Sequence, residues 1–335
     1  MTQSLNHKNK TRIKLVLWAM FPVIFGISLV SLISLVFKNT NYAEIFKPRN
    51  NTAIVSQSFT EEKIKDEEKS KYFYLNNSND EPRVAALAYL AGDLNTGEVI
   101  MSKNQDKKFP IASISKLMTA LVADEISKED DIAKVSKKAL ATNGANGELK
   151  LGEKIKTSDL VYPLLLESSN DAAEVLAEHF GRENFIVKMN QEASNLEMSG
   201  TSYKDPSGLS EKNQSTVSDM FKLTGYLNQK KQDLLQITNK RSYATKKHNW
   251  SNISRFIGEE GYIGGKSGYT DEAKQTVVSL FSLPLSKSGN RPIAIILLQS
   301  PDRKKDVENI LKYLKKNIYY GGAGDANADW VTLKV

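Results

Sequence analysis

Between Leu15 and Val36 the chain reads LVLWAMFPVIFGISLVSLISLV, without a charged side chain. A helix needs about 20 apolar residues to cross the hydrocarbon core of a bilayer. A run of this length and uniformity is therefore committed to a membrane span, because a core helix packed on one side would carry a polar face. Lys8, Lys10, Arg12 and Lys14 precede it, the basic flank expected on the cytoplasmic side. A cleaved signal peptide has a shorter apolar stretch, roughly 7–15 residues, followed by a small-x-small site. The run leads instead into Phe37, Lys38, Asn39, Thr40, Asn41 and Tyr42, which offer none. The expectation is a cytoplasmic tail at 1–14, an uncleaved signal anchor at 15–37, and the rest of the chain outside the cytoplasmic membrane.

Residues 38–82 read as a flexible linker. Thr60 to Lys69 is densely charged, and Asn76 to Pro82 is a cluster of turn formers. The folded part is expected over 83–319, with a C-terminal tail at 320–335. The chain has 335 residues, 40% hydrophobic and 25% charged, values of an ordinary globular protein. It contains no cysteine, which excludes disulfides, thiolate metal sites and a thiol nucleophile. The net charge of +7 favours anionic surroundings, but no run of aromatics interleaved with Arg or Lys suggests a nucleic-acid platform.

Within the folded part, Val84 to Leu90 is a short apolar strand candidate. Asp93 to Gly97 is a turn, and Glu98 to Met101 the returning strand. Helical spacing follows at Leu117, Ala120 and Leu121, at Leu160, Leu164 and Leu165, and over Asp171 to Phe180, closed by Gly181. Gln275 to Leu283 and Ile293 to Leu298 read as strands, and Val307 to Ile318 as an amphipathic helix. Strands at both ends with helices between predict an α+β fold, its antiparallel sheet assembled from both termini of the domain.

Short patterns in this frame carry chemistry. Ser113 and Lys116 stand three apart, one turn from each other on a helix. A serine hydroxyl needs a base to become a nucleophile, and a desolvated lysine can be one. Pro110 just ahead suits the start of that helix. Ser168, Ser169 and Asn170 fall between helical patterns, where a loop can hold catalytic groups. Lys266, Ser267 and Gly268 follow Gly264 and Gly265 at a strand edge that an extended peptide could approach. Lys266 offers a positive charge and Ser267 a hydroxyl. Each pattern alone is weak: Lys287-Ser288-Gly289 and Ser288-Gly289-Asn290 repeat the same patterns in what reads as a surface turn. The phosphate-loop pattern fails, since Glu260 stands where it needs glycine. The histidines, His7, His179 and His248, form no His-Glu-x-x-His, so no metal and no cofactor is implied.

Taken in order, Ser-x-x-Lys, Ser-x-Asn and Lys-Ser-Gly resemble the penicillin-recognising serine enzymes. The surroundings narrow this to the D-alanyl-D-alanine carboxypeptidase family of low-molecular-weight penicillin-binding proteins. Asp93 to Val99 is similar to that family's first hairpin and Ala112 to Ala120 to its nucleophile helix. Leu164 to Ala173, Asp205-Pro206-Ser207-Gly208-Leu209 and Gly264 to Thr270 are similar to its further motifs. The resemblance spans about 84–318 and implies a DD-peptidase/β-lactamase-like fold. It implies Ser113 as nucleophile, Lys116 as base, and Ser168 relaying a proton to the leaving group. Asn170 would hold the substrate amide, Lys266 and Ser267 the terminal carboxylate, and the backbone amides of Ser113 and Tyr269, beside Gly268, the oxyanion. The implied partners are peptidoglycan stem peptides, β-lactam inhibitors and the bacterial cytoplasmic membrane.

Departures from the family pattern are Ser267 where threonine is commoner, Pro163 inside the helix before the second motif, where a kink is expected, and the bulky Asp271 to Lys274. The β-sandwich domain and C-terminal amphipathic helix of many relatives do not fit in 319–335, so the N-terminal anchor is expected to take their place. A β-lactamase would need a Glu-x-x-Leu-Asn run between Asn170 and Lys266, and none occurs. An endopeptidase cutting crosslinks shares all the motifs. A non-catalytic wall-binding protein of the same fold would not need the full set.

Overall fold

The computed structural model describes residues 72–74, 81–286 and 289–320. The expected anchor at 15–37 and the tail beyond Tyr320 lie outside them, as does most of the expected linker. Among the described residues no helix is long and apolar enough to cross a membrane. The first strands are β1 (Tyr72–Tyr74), β2 (Ala88–Asp93), β3 (Val99–Lys103) and β4 (Phe109–Pro110). A 3-10 turn, Ala112–Ser115, feeds α1 (Lys116–Ile126). Then come β5 (Ile132–Lys134), α2 (Lys137–Leu140), β6 (Lys154–Lys156), α3 (Thr157–Leu166), α4 (Asn170–His179) and α5 (Arg182–Asn195). The remainder is β7 (Gln214–Ser215), α6 (Val217–Lys230), α7 (Gln232–Asn239), β8 (Ser242–Ala244), β9 (Asn249–Ser251), β10 (Tyr262–Thr270), β11 (Lys274–Ser286), β12 (Gly289–Ser300), α8 (Arg303–Asn317) and β13 (Ile318–Tyr320).

The main sheet joins the two ends of the domain, as expected. β12 pairs antiparallel with β2, so that Ile293 faces Asp93 and Leu298 faces Ala88. β11 pairs with β12 on one side and with β10 on the other. Both faces of this sheet are buried, which explains why its strands read as continuous apolar runs rather than alternating ones. Along β12, Ala294, Ile296 and Leu298 enter the core shared with the helices between α1 and α7. Ile293, Ile295 and Leu297 enter a second core with Val307, Ile310 and Leu314 of α8. The alternation is the two-residue period of a strand.

The structure adjusts several expected boundaries for identifiable reasons. The first strand starts at Ala88 rather than Val84, because the preceding amides have another acceptor. Ala85 N and Ala86 N donate to the carboxylate of Asp306 on α8 at 2.8 and 2.9 Å. Pro110 lies in β4, paired with Gln214, and not in the first turn of a helix. Pro163 sits inside α3 without interrupting it, one turn before the end, and its carbonyl accepts the amides of Glu167 and Ser169 at 3.2 and 3.0 Å. The hairpin carrying the decoy motifs closes with Ser286 opposite Gly289; Lys287 and Ser288 lie outside the described residues.

Asp306 also accepts the Ser300 hydroxyl at 2.7 Å and is buried, so one carboxylate ties the start of the domain to its last helix. Leaving buried donors unsatisfied costs about 1–3 kcal/mol each. We expect Asp306→Ala to lower stability by about 2–4 kcal/mol in urea unfolding of the purified protein, with Asp306→Asn milder. An Asp306→Ala midpoint equal to wild type would remove this tie from the account.

Candidate active site

The Ser-x-x-Lys residues straddle the junction between the 3-10 turn and α1. In a 3-10 turn residues i and i+3 eclipse, so Lys116 is stacked over Ser113 more directly than an α-helix would allow. Its Nζ lies within hydrogen-bond distance of Ser113 Oγ, at 2.9 Å. The preceding Ala112 has φ 49°, a left-handed conformation that is strained for a side chain and is typical of functional turns. The turn is locked to the sheet by Thr276 Oγ1, which donates to the Ile111 carbonyl at 2.9 Å. Ser115, the other hydroxyl of the turn, is buried and accepts from Asn213 Nδ2 at 3.3 Å, away from Lys116.

The second motif links α3 to α4. Ser168 has φ 63°, again a left-handed non-glycine residue. Ser169 caps α4 by accepting the Ala172 amide at 2.9 Å, and also bonds Asp171. Asn170 Oδ1 accepts from Lys116 Nζ at 2.7 Å, while its Nδ2 donates to the Asn143 carbonyl at 2.7 Å. Within this structure its amide therefore serves to hold Lys116. Lys116 Nζ further donates to the Ser207 carbonyl at 2.5 Å.

The third motif lies on β10. Lys266 Nζ donates to Ser168 Oγ and to the Ser267 carbonyl, each at 2.9 Å. Gly268 is where the strand meets the Ser113 turn: a Cβ there would stand 2.6 Å from Ser113 N and 2.7 Å from Thr276 Oγ1. Only glycine lets β10 come this close, which brings the Ser113 amide beside the strand. Ser267 is half-buried. The Tyr269 ring is exposed, with its hydroxyl donating to Asp271 Oδ1 at 2.9 Å.

Charge is unevenly distributed here. Lys116 is 0% exposed, and burial together with the nearby Lys266 holds its ammonium pKa well below the ordinary lysine value, against the opposing pull of Asp205 and Asp171. Burial and Arg303 push Lys266 down to about 7. Among the described residues neither Lys266 nor Arg303 has a carboxylate within ion-pair distance. Arg303 Nη1 instead donates to the Gly268 carbonyl at 2.7 Å, and burial and Arg255 lower its pKa. Arg303 opens α8, the helix end where a cation is disfavoured.

Sequence reading missed Arg303. The run Arg303-Lys304-Lys305 looks like a solvated helix face, and only the tertiary packing of α8 against the sheet brings its first residue to Gly268. His248 takes no part in this cluster: its Nε2 pairs with Glu153 Oε1 at 2.9 Å and its ring stacks on Trp250. Among the described residues no group of side chains is suited to a metal.

A serine and a buried lysine as a pair, a second serine bonded to a second buried lysine, and a glycine-lined strand edge beside them define a penicillin-recognising serine hydrolase. The D-alanyl-D-alanine carboxypeptidase family model matches residues 75–299, and the chain belongs to that family. It is 30% identical over 241 residues to a D-alanyl-D-alanine endopeptidase of Escherichia coli, covering 66% of this chain and 73% of the relative. It is 30% identical to the D-alanyl-D-alanine carboxypeptidase DacF of Bacillus subtilis, covering 64% of this chain and 57% of that one. Among solved structures it resembles penicillin-binding protein D2 of Listeria monocytogenes in its cefotaxime-bound form. The TM-score is 0.62 at 26% identity, over 71% of this chain and 98% of that one.

The site predicts a pH dependence of substrate capture. Lys266 attracts an anion only while protonated, so its attraction is complete below a pH of about 7 and fades as the pH rises through that value. We expect KM for a substrate with a free carboxylate to climb above that point, and Lys266→Arg to remove the climb because guanidinium stays charged. A KM flat across the range in wild type would place the carboxylate elsewhere.

Proposed function

We propose that the chain is a D-Ala-D-Ala carboxypeptidase that removes the terminal D-Ala of peptidoglycan stem pentapeptides through an acyl-enzyme on Ser113. The observation that carries this reading is the uncompensated cationic end of the cleft. Lys266 and Arg303 are charge donors without a carboxylate partner among the described residues, beside the serine–lysine pair. A peptide that ends just past its scissile bond supplies that missing carboxylate.

In this reading neutral Lys116 takes the Ser113 proton as Oγ attacks the penultimate D-Ala carbonyl. The developing oxyanion is held by the amides of Ser113 and Tyr269; a donor of this kind is worth roughly 2.7–4 kcal/mol. Ser168, bonded to Lys266, hands its proton to the departing amine and is reprotonated at the expense of the Lys116 ammonium, so D-Ala leaves and Lys116 is neutral again. Water then attacks the ester, Lys116 takes its proton and returns it to Ser113 Oγ as the ester bond breaks, and the shortened peptide leaves. Lys266, Ser267 and Arg303 hold the carboxylate, and a β-lactam enters the same route because its carboxylate and amide copy the peptide end.

A second reading is an endopeptidase acting on crosslinks. The endopeptidase named among the relatives favours it, and so does the chemistry of the site. A crosslinking diamino acid attached through an amine on a D-centre carries a carboxylate on that same carbon, so the cationic end would accept both leaving groups. Purified protein incubated separately with a pentapeptide ending in D-Ala-D-Ala and with a crosslinked peptide dimer separates the readings. Release of free D-Ala supports the first, and monomer formation without D-Ala release moves the assignment to the second.

Membrane attachment through 15–37, with the catalytic domain outside the cytoplasmic membrane, is part of the same proposal and rests on the apolar run and its basic flank. Protease added to spheroplasts is expected to remove the domain; full protection, or a mature N-terminus beyond residue 37, would contradict it. For carboxylate recognition, a hydrogen bond to a charged group is worth about 1.5–3 kcal/mol. Ser267→Ala should then cost roughly 10–100-fold in kcat/KM on the acid substrate. Ser267→Thr should be mild, and a C-terminal amide should be nearly indifferent to Ser267→Ala. Equal losses on acid and amide would make Ser267 a structural residue of β10.

A further inference from the structure

We propose that Asp205 is a positioning residue for the general base: by holding the loop 205–210 it aims the Ser207 carbonyl at Lys116 and so points the lysine lone pair at Ser113. This deepens the acyl-enzyme reading and rests on it.

The argument begins with valence. A neutral lysine amine has two N–H bonds and one lone pair. Lys116 Nζ lies within hydrogen-bond distance of Ser113 Oγ, Asn170 Oδ1 and the Ser207 carbonyl. Carbonyl oxygens only accept, so Asn170 and Ser207 take the two protons of the neutral amine. The lone pair is then left facing Ser113, the one partner that carries a proton to give. Removing either acceptor frees the amine to rotate and donate to Ser113 instead, which is the unproductive orientation.

Asn170 is fixed by its own bond to Asn143. What fixes Ser207 is Asp205. Its Oδ1 accepts the Ser207 amide and hydroxyl at 2.8 Å each and the Gly208 amide at 2.6 Å, and its Oδ2 accepts the Ser210 amide at 2.8 Å. A carboxylate ringed by backbone amides in this way winds the loop into one conformation. The loop is pinned to the nucleophile turn at further points. Thr119 Oγ1 of α1 donates to the Pro206 carbonyl at 2.6 Å. Asn213 Nδ2 bonds both the Asp205 carbonyl and Ser115 Oγ, at 2.9 and 3.3 Å. Gly208, at φ +87°, lies so close that a Cβ would overlap the Ala112 carbonyl. Asp205 is buried, as are Thr119, Ser207 and Asn213, so the brace is a built feature of the interior and not a surface loop.

The charge of Asp205 has a second effect. The charged groups acting on Lys116 are Lys266 of β10, which lowers its pKa, and Asp171 of α4 and Asp205, which raise it. Neutralising Asp205 therefore lowers the Lys116 pKa further and makes the amine neutral at lower pH. Asp205 also acts on Arg182 of α5, whose principal partner is the Glu174 carboxylate.

The test uses the full chain and stopped-flow acylation by a chromogenic cephalosporin, which separates the non-covalent binding constant from the acylation rate constant. For Asp205→Ala we expect the rate constant to fall roughly 10–100-fold with little change in the binding constant, as for a misdirected base. Asp205→Asn keeps an acceptor oxygen for the Ser207 and Gly208 amides and should recover most of the rate at its optimum. Its acid limb should lie at lower pH than that of wild type. Wild-type acylation by Asp205→Ala would overturn the proposal. Should Asp205→Ala fail to fold, Asp205→Glu decides: it keeps the charge but displaces the loop, so its acylation rate constant should fall with the binding constant unchanged, and a wild-type rate constant would overturn the proposal. If no variant and no wild-type protein forms an acyl-enzyme, the failure belongs to the proposed function and not to the positioning role.

Discussion

The chemistry of this protein depends on burying an amine. Lys116 is enclosed on every side, and a charged ammonium in such a place carries a desolvation penalty that its neighbours only partly offset. Burial disfavours the charged form and draws the ammonium pKa well below the ordinary lysine value, toward that of a base. Lys266, buried nearby, reinforces this by repulsion. In the proposed mechanism the two lysines divide the work by environment: Lys116, its pKa drawn well below the ordinary value, accepts a proton, and Lys266, with a pKa of about 7, attracts an anion while charged.

Such burial demands a rigid enclosure. The sheet supplies it because both its faces are covered, with alternate residues of β12 entering separate cores. The nucleophile turn is clamped between β10, through Gly268, and the loop at Gly208, both positions where a Cβ would collide with the turn. Strained backbone at Ala112 and Ser168 persists because the surrounding bonds over-determine it. The loop that presses Gly208 against the turn is also the one that presents the Ser207 carbonyl to Lys116.

Much of this was legible in the sequence, for reasons that differ by element. The hairpin at Asp93 to Gly97, the strands β11 and β12 and helix α8 carry their periodicities openly, and the resemblance across the three motifs named the residues that meet. Boundaries moved where a tertiary partner replaced a local one, as when Asp306 captured the amides of Ala85 and Ala86 ahead of β2. Arg303 was invisible because its placement depends on α8 packing across the sheet, and its basic neighbours disguise it as a solvated face. His248 is near the third motif in sequence, yet it is occupied by Glu153 and Trp250. Sequence proximity said nothing about direction.

The central claim is that burial draws the Lys116 pKa well below that of an ordinary lysine. Direct titration tests it: protein carrying lysine labelled with carbon-13 at Cε, with the Lys116 resonance assigned by its loss in Lys116→Arg, is followed by NMR as the pH is raised. The account predicts a Lys116 midpoint well below the ordinary value of 10.5. A Lys116 signal that stays in its protonated position until that ordinary value is reached would contradict it.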